Sequence, residues 1–366
     1  MSDLTLPLGL LKVLPKTGNL VVSPLSIYPI LSMVAAGARG ATREELNRVL
    51  GISGLSDSQV ISQVAELIRR IEKARGVTIA TAIRLYLQLG MQYNQDLLGL
   101  FGTVSEPQLV DFSKRGRELV PDINLWVSER TQGKIPALLG DGAINDLTRW
   151  LAVNASYFKG HWHFPFPKEC TESRNFNCDG GMVRSVPTMY QKGKFYYGER
   201  RSFAVLSLPF VGAETVMAVF LPNPGVSTAE IEEEVLGDFQ KTLLDLRFEE
   251  VEVFLPRWET RWGTYSLNDA LYKLGIRLAF TPRADFSGID GTTWLYLSQM
   301  FHQCYLKVDE TGAEGAAGTG ASISMKEVLK NLVFRADRPF IYAICDRFLH
   351  FPYFIGRLSD PTKVSV

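Results

Sequence analysis

A chain of 366 residues, 46% of them hydrophobic, is long enough to bury a substantial core, and its 39 basic and 39 acidic residues cancel. No global field therefore recruits nucleic acid or a membrane surface. Four cysteines are too few for a disulfide scaffold: Cys170 and Cys178 are close enough to pair but read as free thiols, and Cys304 and Cys345 read as small buried hydrophobes.

In chain order, Leu4–Leu14 is apolar but carries Pro7 and Lys12, with neither a basic leader nor a small-residue cleavage site. The expectation is a cytoplasmic protein if the chain is full length, and an extracellular one if a signal segment has been removed. Leu20–Ala38 is interrupted by Ser23, Pro24, Ser26, Pro29 and Ser32, which suits a buried helix better than a membrane span. Val60, Ile61, Val64, Leu67, Ile68 and Ile71 recur at helical spacing. Val77–Leu89 predicts a strand, and Ile123–Ser128 lies in a further helix. Asn154-Ala-Ser156 is a formal glycosylation sequon in a stretch expected to be buried. Val205–Phe210, Val216–Leu221 and Val251–Leu255 predict strands, the second closed by Pro222-Asn-Pro. Helices early and strands late point to an α+β fold. No Pro/Gly/Ser-rich linker or charge run divides the chain, so one domain over 1–366 is expected.

Catalytic patterns do not emerge. His161 and His163 would share one face of a strand, yet no third ligand is near and zinc needs three or four. No His-Glu-x-x-His, Cys-x-x-Cys, Gly-x-Ser-x-Gly or P-loop pattern occurs. The chain is therefore expected to be no enzyme and to need no cofactor or metal.

The most informative segment runs from Asp309 to Lys326. Ala313, Gly315, Ala317, Thr319, Ala321, Ile323 and Met325 form a small or apolar, uncharged row. The alternate row of Glu314, Ala316, Gly318, Gly320, Ser322, Ser324 and Lys326 holds every charge and both serines. A period of two is the signature of a strand, and no proline lies between Glu310 and Arg338 to forbid a hydrogen-bonded ladder. The segment reads as an exposed loop that can also become a buried strand, the alternative being a flexible Gly/Ala linker.

Its flanks, His302–Glu310 before and Arg335–Phe340 and Phe354–Pro361 after, resemble the reactive-loop hinge and C-terminal signature of the serpins. Asn19–Ile27 with Gly37–Thr42, Ile123–Val127 with Thr131–Ile135, Asn154–Trp162 with Phe166, and Leu274–Ser287 resemble further blocks of that family in the same order. The resemblance implies a central five-stranded sheet with further sheets, about eight or nine helices and an exposed reactive loop over about 310–334. The family's first helix would have to be short, because only 18 residues precede Asn19.

Function follows the same resemblance. Serpins are suicide substrates: a serine protease cuts the loop, and the loop inserts into the sheet while the protease is still attached. The hinge would comprise Glu310, Gly312, Ala313, Glu314, Gly315, Ala316, Ala317, Gly318 and Thr319. Small residues there fit an inhibitory serpin rather than a non-inhibitory one acting as a carrier or binding module. The family's cut falls conventionally sixteen residues after the hinge glutamate, at Lys326–Glu327, which suits a trypsin-like pocket with an acidic floor; a slip of one residue would put Met325 before the cut. Trp162 and His302 match residues of the breach, where insertion begins. Arg69, Arg70 and Lys73 end the helix that resembles the family's heparin-binding helix, although Glu66 and Glu72 dilute them and a solvated helix face is the plainer reading. A monomer prone to loop-sheet polymers is expected, its partner a target protease rather than nucleic acid or membrane.

Overall fold

The computed structural model describes residues 4–313 and 332–364. Helices fill most of the first third: α1 (Thr5–Val13), α2 (Pro24–Gly37), α3 (Gly40–Leu50), α4 (Asp57–Glu72), α5 (Gln95–Gly102) and α6 (Phe112–Arg130). They alternate with strands β1 (Leu20–Val22), β2 (Val77–Gln88) and β3 (Gln108–Val110). Strands then take over with β4 (Trp150–His161), β5 (Glu172–Asn177), β6 (Val183–Glu199), β7 (Phe203–Pro209) and β8 (Thr215–Pro222). Helices α7 (Thr228–Gly237) and α8 (Phe239–Leu244) lead to β9 (Arg247–Pro256) and β10 (Trp258–Ser266). After α9 (Asn268–Leu274) and α10 (Ser287–Asp290) come β11 (Gln299–Val308), β12 (Gly312–Ala313), β13 (Leu332–Arg335), β14 (Phe340–Asp346) and β15 (Pro352–Leu358).

Local chemistry explains the helix ends that matter. The hydroxyl of Ser23 caps α2 by accepting from the Ser26 amide at 3.3 Å, and Pro24 occupies the first turn, where its missing N–H costs nothing. Every residue of α2 is buried, as expected for the apolar run there. A reciprocal Ser56–Gln59 capping box starts α4, whose apolar stripe of Val60, Ile61, Val64, Leu67 and Ile71 faces inward. The first helix is short, nine residues, in line with the few that precede Asn19.

The strands form two sheets. One has the order β10-β11-β4-β2-β3, the five expected strands, with the two-residue β12 added beside β4. The other has nine strands: a path of eight from β1 to β13, with β5 paired to β6 beside it. Alternation along β4 divides the core. Leu151, Val153, Ala155 and Tyr157 face α6, packing with Phe112, Leu119, Ile123 and Val127, while Trp150, Ala152 and Phe158 face the main core with α2.

Candidate functional site, a seam between two strands

β4 and β11 are far apart in sequence yet lie side by side, parallel, from Gln299 opposite Leu151 to Leu306 opposite Phe158. Each is held on its outer edge by an antiparallel neighbour, β2 for β4 and β10 for β11. The loop segment leaves directly from the end of β11. The seam between these strands is thus the place in the sheet to which the segment is tethered, and over those eight register pairs it is closed.

At its upper end the two strands part and β12 takes the space. Gly312 stands opposite His161 and Ala313 opposite Gly160, antiparallel to β4. Only glycine fits the first position: Gly312 has φ of 145°, and a Cβ there would come within 2.0 Å of the Gly160 carbonyl oxygen. Glu310 is buried, accepts from the Thr171 hydroxyl at 2.7 Å and has Arg257 at 3.6 Å; its carbonyl accepts from the Phe166 amide at 2.9 Å. Trp162 closes the corner. Its ring stacks on Phe210 at 4.6 Å with an 11° interplanar angle, and its Nε1–H donates to the Asp309 carbonyl at 2.9 Å. Its amide donates to the Thr311 carbonyl at 2.9 Å. The start of the loop is therefore gripped from both sides.

His302 is not part of that corner, which corrects the expectation that it shares the breach with Trp162. It stands opposite Asn154 in the middle of the seam. Asn154 and Trp162 are separated by roughly 26 Å of extended strand, at about 3.3 Å per residue. The imidazole is completely buried and fully engaged. Nδ1–H donates to the Asn154 side-chain oxygen, while Nε2 accepts from the Ser23 amide at 3.3 Å and from the Cys304 thiol, 3.1 Å away. Asn154 accepts from the Ser26 hydroxyl at 2.9 Å and donates to the Ser26 carbonyl, and the Ser23 hydroxyl donates to the Tyr353 carbonyl at 2.9 Å. This pattern fixes the neutral Nδ1–H tautomer. Burial lowers the His302 pKa to about 3 and pushes the Cys304 thiol well up, so the thiol stays protonated. A Cys-His-Asn chain exists here, but sealed and in its unreactive protonation state.

Ser23, Ser26 and Asn154 are the site residues that sequence reasoning passed over. Their signal was polarity inside apolar runs, since a buried polar side chain must find partners. The Asn154 sequon is buried, as expected, with its amide engaged by Ser26. Of the basic residues on α4, Arg70 is committed to the buried Asp346 carboxylate at 3.1 Å. Arg69 bonds the Ala65 carbonyl at 3.2 Å and pairs with Glu66 at 3.7 Å, and Lys73 is the exposed C-cap. The two arginines are thus partnered on an exposed helix face, with Lys73 exposed beside them. Cys170 and Cys178 are free. Glu314, Gly315, Ala316, Ala317, Gly318, Thr319, Met325, Lys326 and Glu327 lie outside the described residues. Among the described residues no helix is long and apolar enough to cross a membrane.

Comparison with known proteins agrees with this geometry. A family model described as serpin (serine protease inhibitor) matches residues 7–361. The leukocyte elastase inhibitor of Bos taurus is 34% identical over 362 residues, covering 94% of this chain and 93% of its own. An uncharacterised serpin-like protein of Thermococcus kodakarensis is 32% identical over 350 residues, covering 94% of this chain and 81% of its own. Among solved structures, Serpin48 of the insect Tenebrio molitor superposes with a TM-score of 0.87 at 28% identity, covering 97% of this chain and 96% of its own. Uncleaved ovalbumin gives a TM-score of 0.86 at 26% identity, covering 98% and 99%. The match also corrects the bare expectation of no enzyme, because the matched family is described by what it does to an enzyme, the inhibition of serine proteases. On the family match and on relatives above 30% identity along nearly the whole chain, the protein belongs to the serpin family.

Proposed function

We propose that this serpin, acting as one domain over 1–366, inhibits a serine endopeptidase as a suicide substrate, through insertion of its cleaved loop into the β4–β11 seam. The observation that carries the reading is the closed seam with Gly312 and Ala313 already aligned antiparallel to β4 at its top. Continued at that register, each following residue steps one position down β4, which would bring Thr319 opposite Asn154. The small row of Ala313, Gly315, Ala317 and Thr319 would then share the core side with Asn154. Each inserted residue gains ladder hydrogen bonds and buries apolar area at roughly 25 cal/mol per Å². The uninserted form is thereby metastable. A protease joined as an acyl-enzyme would be carried along and its oxyanion hole distorted, halting deacylation. Insertion of a reactive loop into a serpin sheet is one form of strand addition, in which main-chain hydrogen bonds supply the affinity.

Lys326–Glu327 is the proposed scissile bond and a trypsin-like enzyme the proposed target. The relatives' named target, leukocyte elastase, is not carried over, because neither Lys326 nor Met325 suits a small specificity pocket. Mixing the protein with trypsin should give a complex that survives denaturing electrophoresis and release a C-terminal peptide beginning at Glu327. A peptide beginning at Lys326 would place Met325 before the cut. Thr319→Arg should abolish the complex and leave cleaved protein, because insertion would bury an unpartnered cation; Ser322→Arg, on the other row, should not. Clean cleavage of the unaltered protein with no complex would defeat inhibition and leave a carrier or binding role.

A further inference from the structure

Away from the seam, the strands β6, β7, β8 and β9 carry a pocket of about 230 Å³ that the inhibitory mechanism does not use. Register explains its walls. Tyr196 stands opposite both Ser207 and Phe248, and Pro209 stands opposite Val216, so these side chains share one face of the sheet. Phe164 closes the other side, edge-on to His163 at 4.5 Å and to Phe195 at 6.3 Å. Phe164, Tyr196 and Phe248 are nonetheless more than a third exposed, although each is an aromatic side chain that burial would favour.

Charge on this pocket has one sign. Lys194 and Arg347 line it and no Asp or Glu does. Arg347 lies over the Tyr196 ring at 5.0 Å and donates to its hydroxyl at 3.0 Å, which leaves part of its guanidinium fork unused. Lys194 makes no ion pair among the described residues. On the floor, Ser207 is 7% exposed and lines the pocket.

We infer that this pocket binds a small aromatic carboxylate, its ring between Phe164, Tyr196 and Phe248 and its carboxylate answered by Lys194, Arg347 and the Ser207 hydroxyl. The aromatic walls select a flat ring, the paired cations select an anion, and the volume holds one or two fused rings. The uncleaved full-length protein should bind 2-naphthoate saturably at one site in calorimetry. The neutral isostere 2-naphthylmethanol and the alkyl carboxylate decanoate should each bind at least tenfold more weakly. Lys194→Glu, at an exposed position that folding tolerates, should weaken naphthoate at least tenfold, and Ser207→Val several-fold, with the far-ultraviolet circular dichroism of both variants unchanged. No saturable binding at millimolar naphthoate would overturn the inference. So would equal affinity for the alcohol, tighter binding of decanoate, or an affinity indifferent to Lys194→Glu.

Discussion

The two ends of one seam are held in different ways. Its top is closed by separable contacts: a Trp162–Phe210 stack, one indole hydrogen bond to Asp309 and a two-residue strand. Each such bond is worth about 1 kcal/mol net and can be exchanged for another with little loss. Its middle is closed by an interlocked set, in which His302 bonds Asn154, the Ser23 amide and Cys304 at once, and Asn154 bonds Ser26 twice. Breaking one member there strands several buried polar groups, each costing about 1–3 kcal/mol. A strand entering this sheet has an easy entrance and a guarded centre. The guard would yield only to something that replaces what it breaks, and on the proposed register the Thr319 hydroxyl, arriving opposite Asn154, would be such a group.

The largest test of that contrast removes the tether. On the proposed mechanism, a single cut within Ala321–Lys326 would free the loop to pass both the entrance and the centre and add a full strand to the sheet. The melting temperature should rise by tens of degrees, read by calorimetry on cut and uncut protein. An unchanged value after clean cleavage would show that the closed seam stores nothing, and the centre would then be ordinary core.

Next in size is the guard itself. His302→Ala should lower native stability by about 3 kcal/mol, from the cavity and the stranded Asn154 and Ser23 groups together. The pH dependence isolates the imidazole. Folded His302 stays neutral down to about pH 3, whereas the unfolded side chain titrates near 6.5. Between these values the unfolded state holds the extra proton. Stability present above pH 6.5 is therefore lost as the pH falls, at about 1.4 kcal/mol per unit, or about 2 kcal/mol by pH 5. The neighbouring Cys304, its thiol pushed up by burial, adds nothing in this window. Denaturant midpoints at pH 7 and pH 5 should show this loss in the parent and a clearly smaller one in His302→Ala, where His350, also held down by burial, still contributes. An equal loss in both would assign the acid sensitivity elsewhere.

How far the sequence alone reached depended on whether the signal was local. Runs with one period were legible: Val60–Ile71 as a helix, Val77–Leu89 as a strand, and Leu20–Ala38 as a buried helix, apart from the short strand at its start. Gly312 was legible as a hinge residue only through family resemblance. The reason it must be glycine, the approach of the Gly160 carbonyl, belongs to a residue more than a hundred positions away. His302 was misplaced for a related cause. Sequence showed it at the start of the segment leading into the loop, but not that this segment is a strand parallel to β4, with Asn154 and not Trp162 at its side. Arg70 read as a solvated cation because its partner Asp346 comes from another strand of the large sheet. Contacts between distant segments are what periodicity cannot carry.

The smallest test works on the entrance. Trp162→Phe keeps an aromatic ring to stack on Phe210 and removes only the indole N–H that reaches the Asp309 carbonyl. One hydrogen bond at a partly wet corner should cost about 1 kcal/mol, a few degrees in melting temperature. That cost should be the same at pH 7 and pH 5, since no titrating group takes part in the bond. The Asp309 carbonyl also lies at the mouth of the sheet, where water can supply the missing donor more readily than it can beside Asn154. If Trp162→Phe proves as damaging as His302→Ala, the entrance is as firmly locked as the centre. Insertion would then have no preferred starting point along the seam.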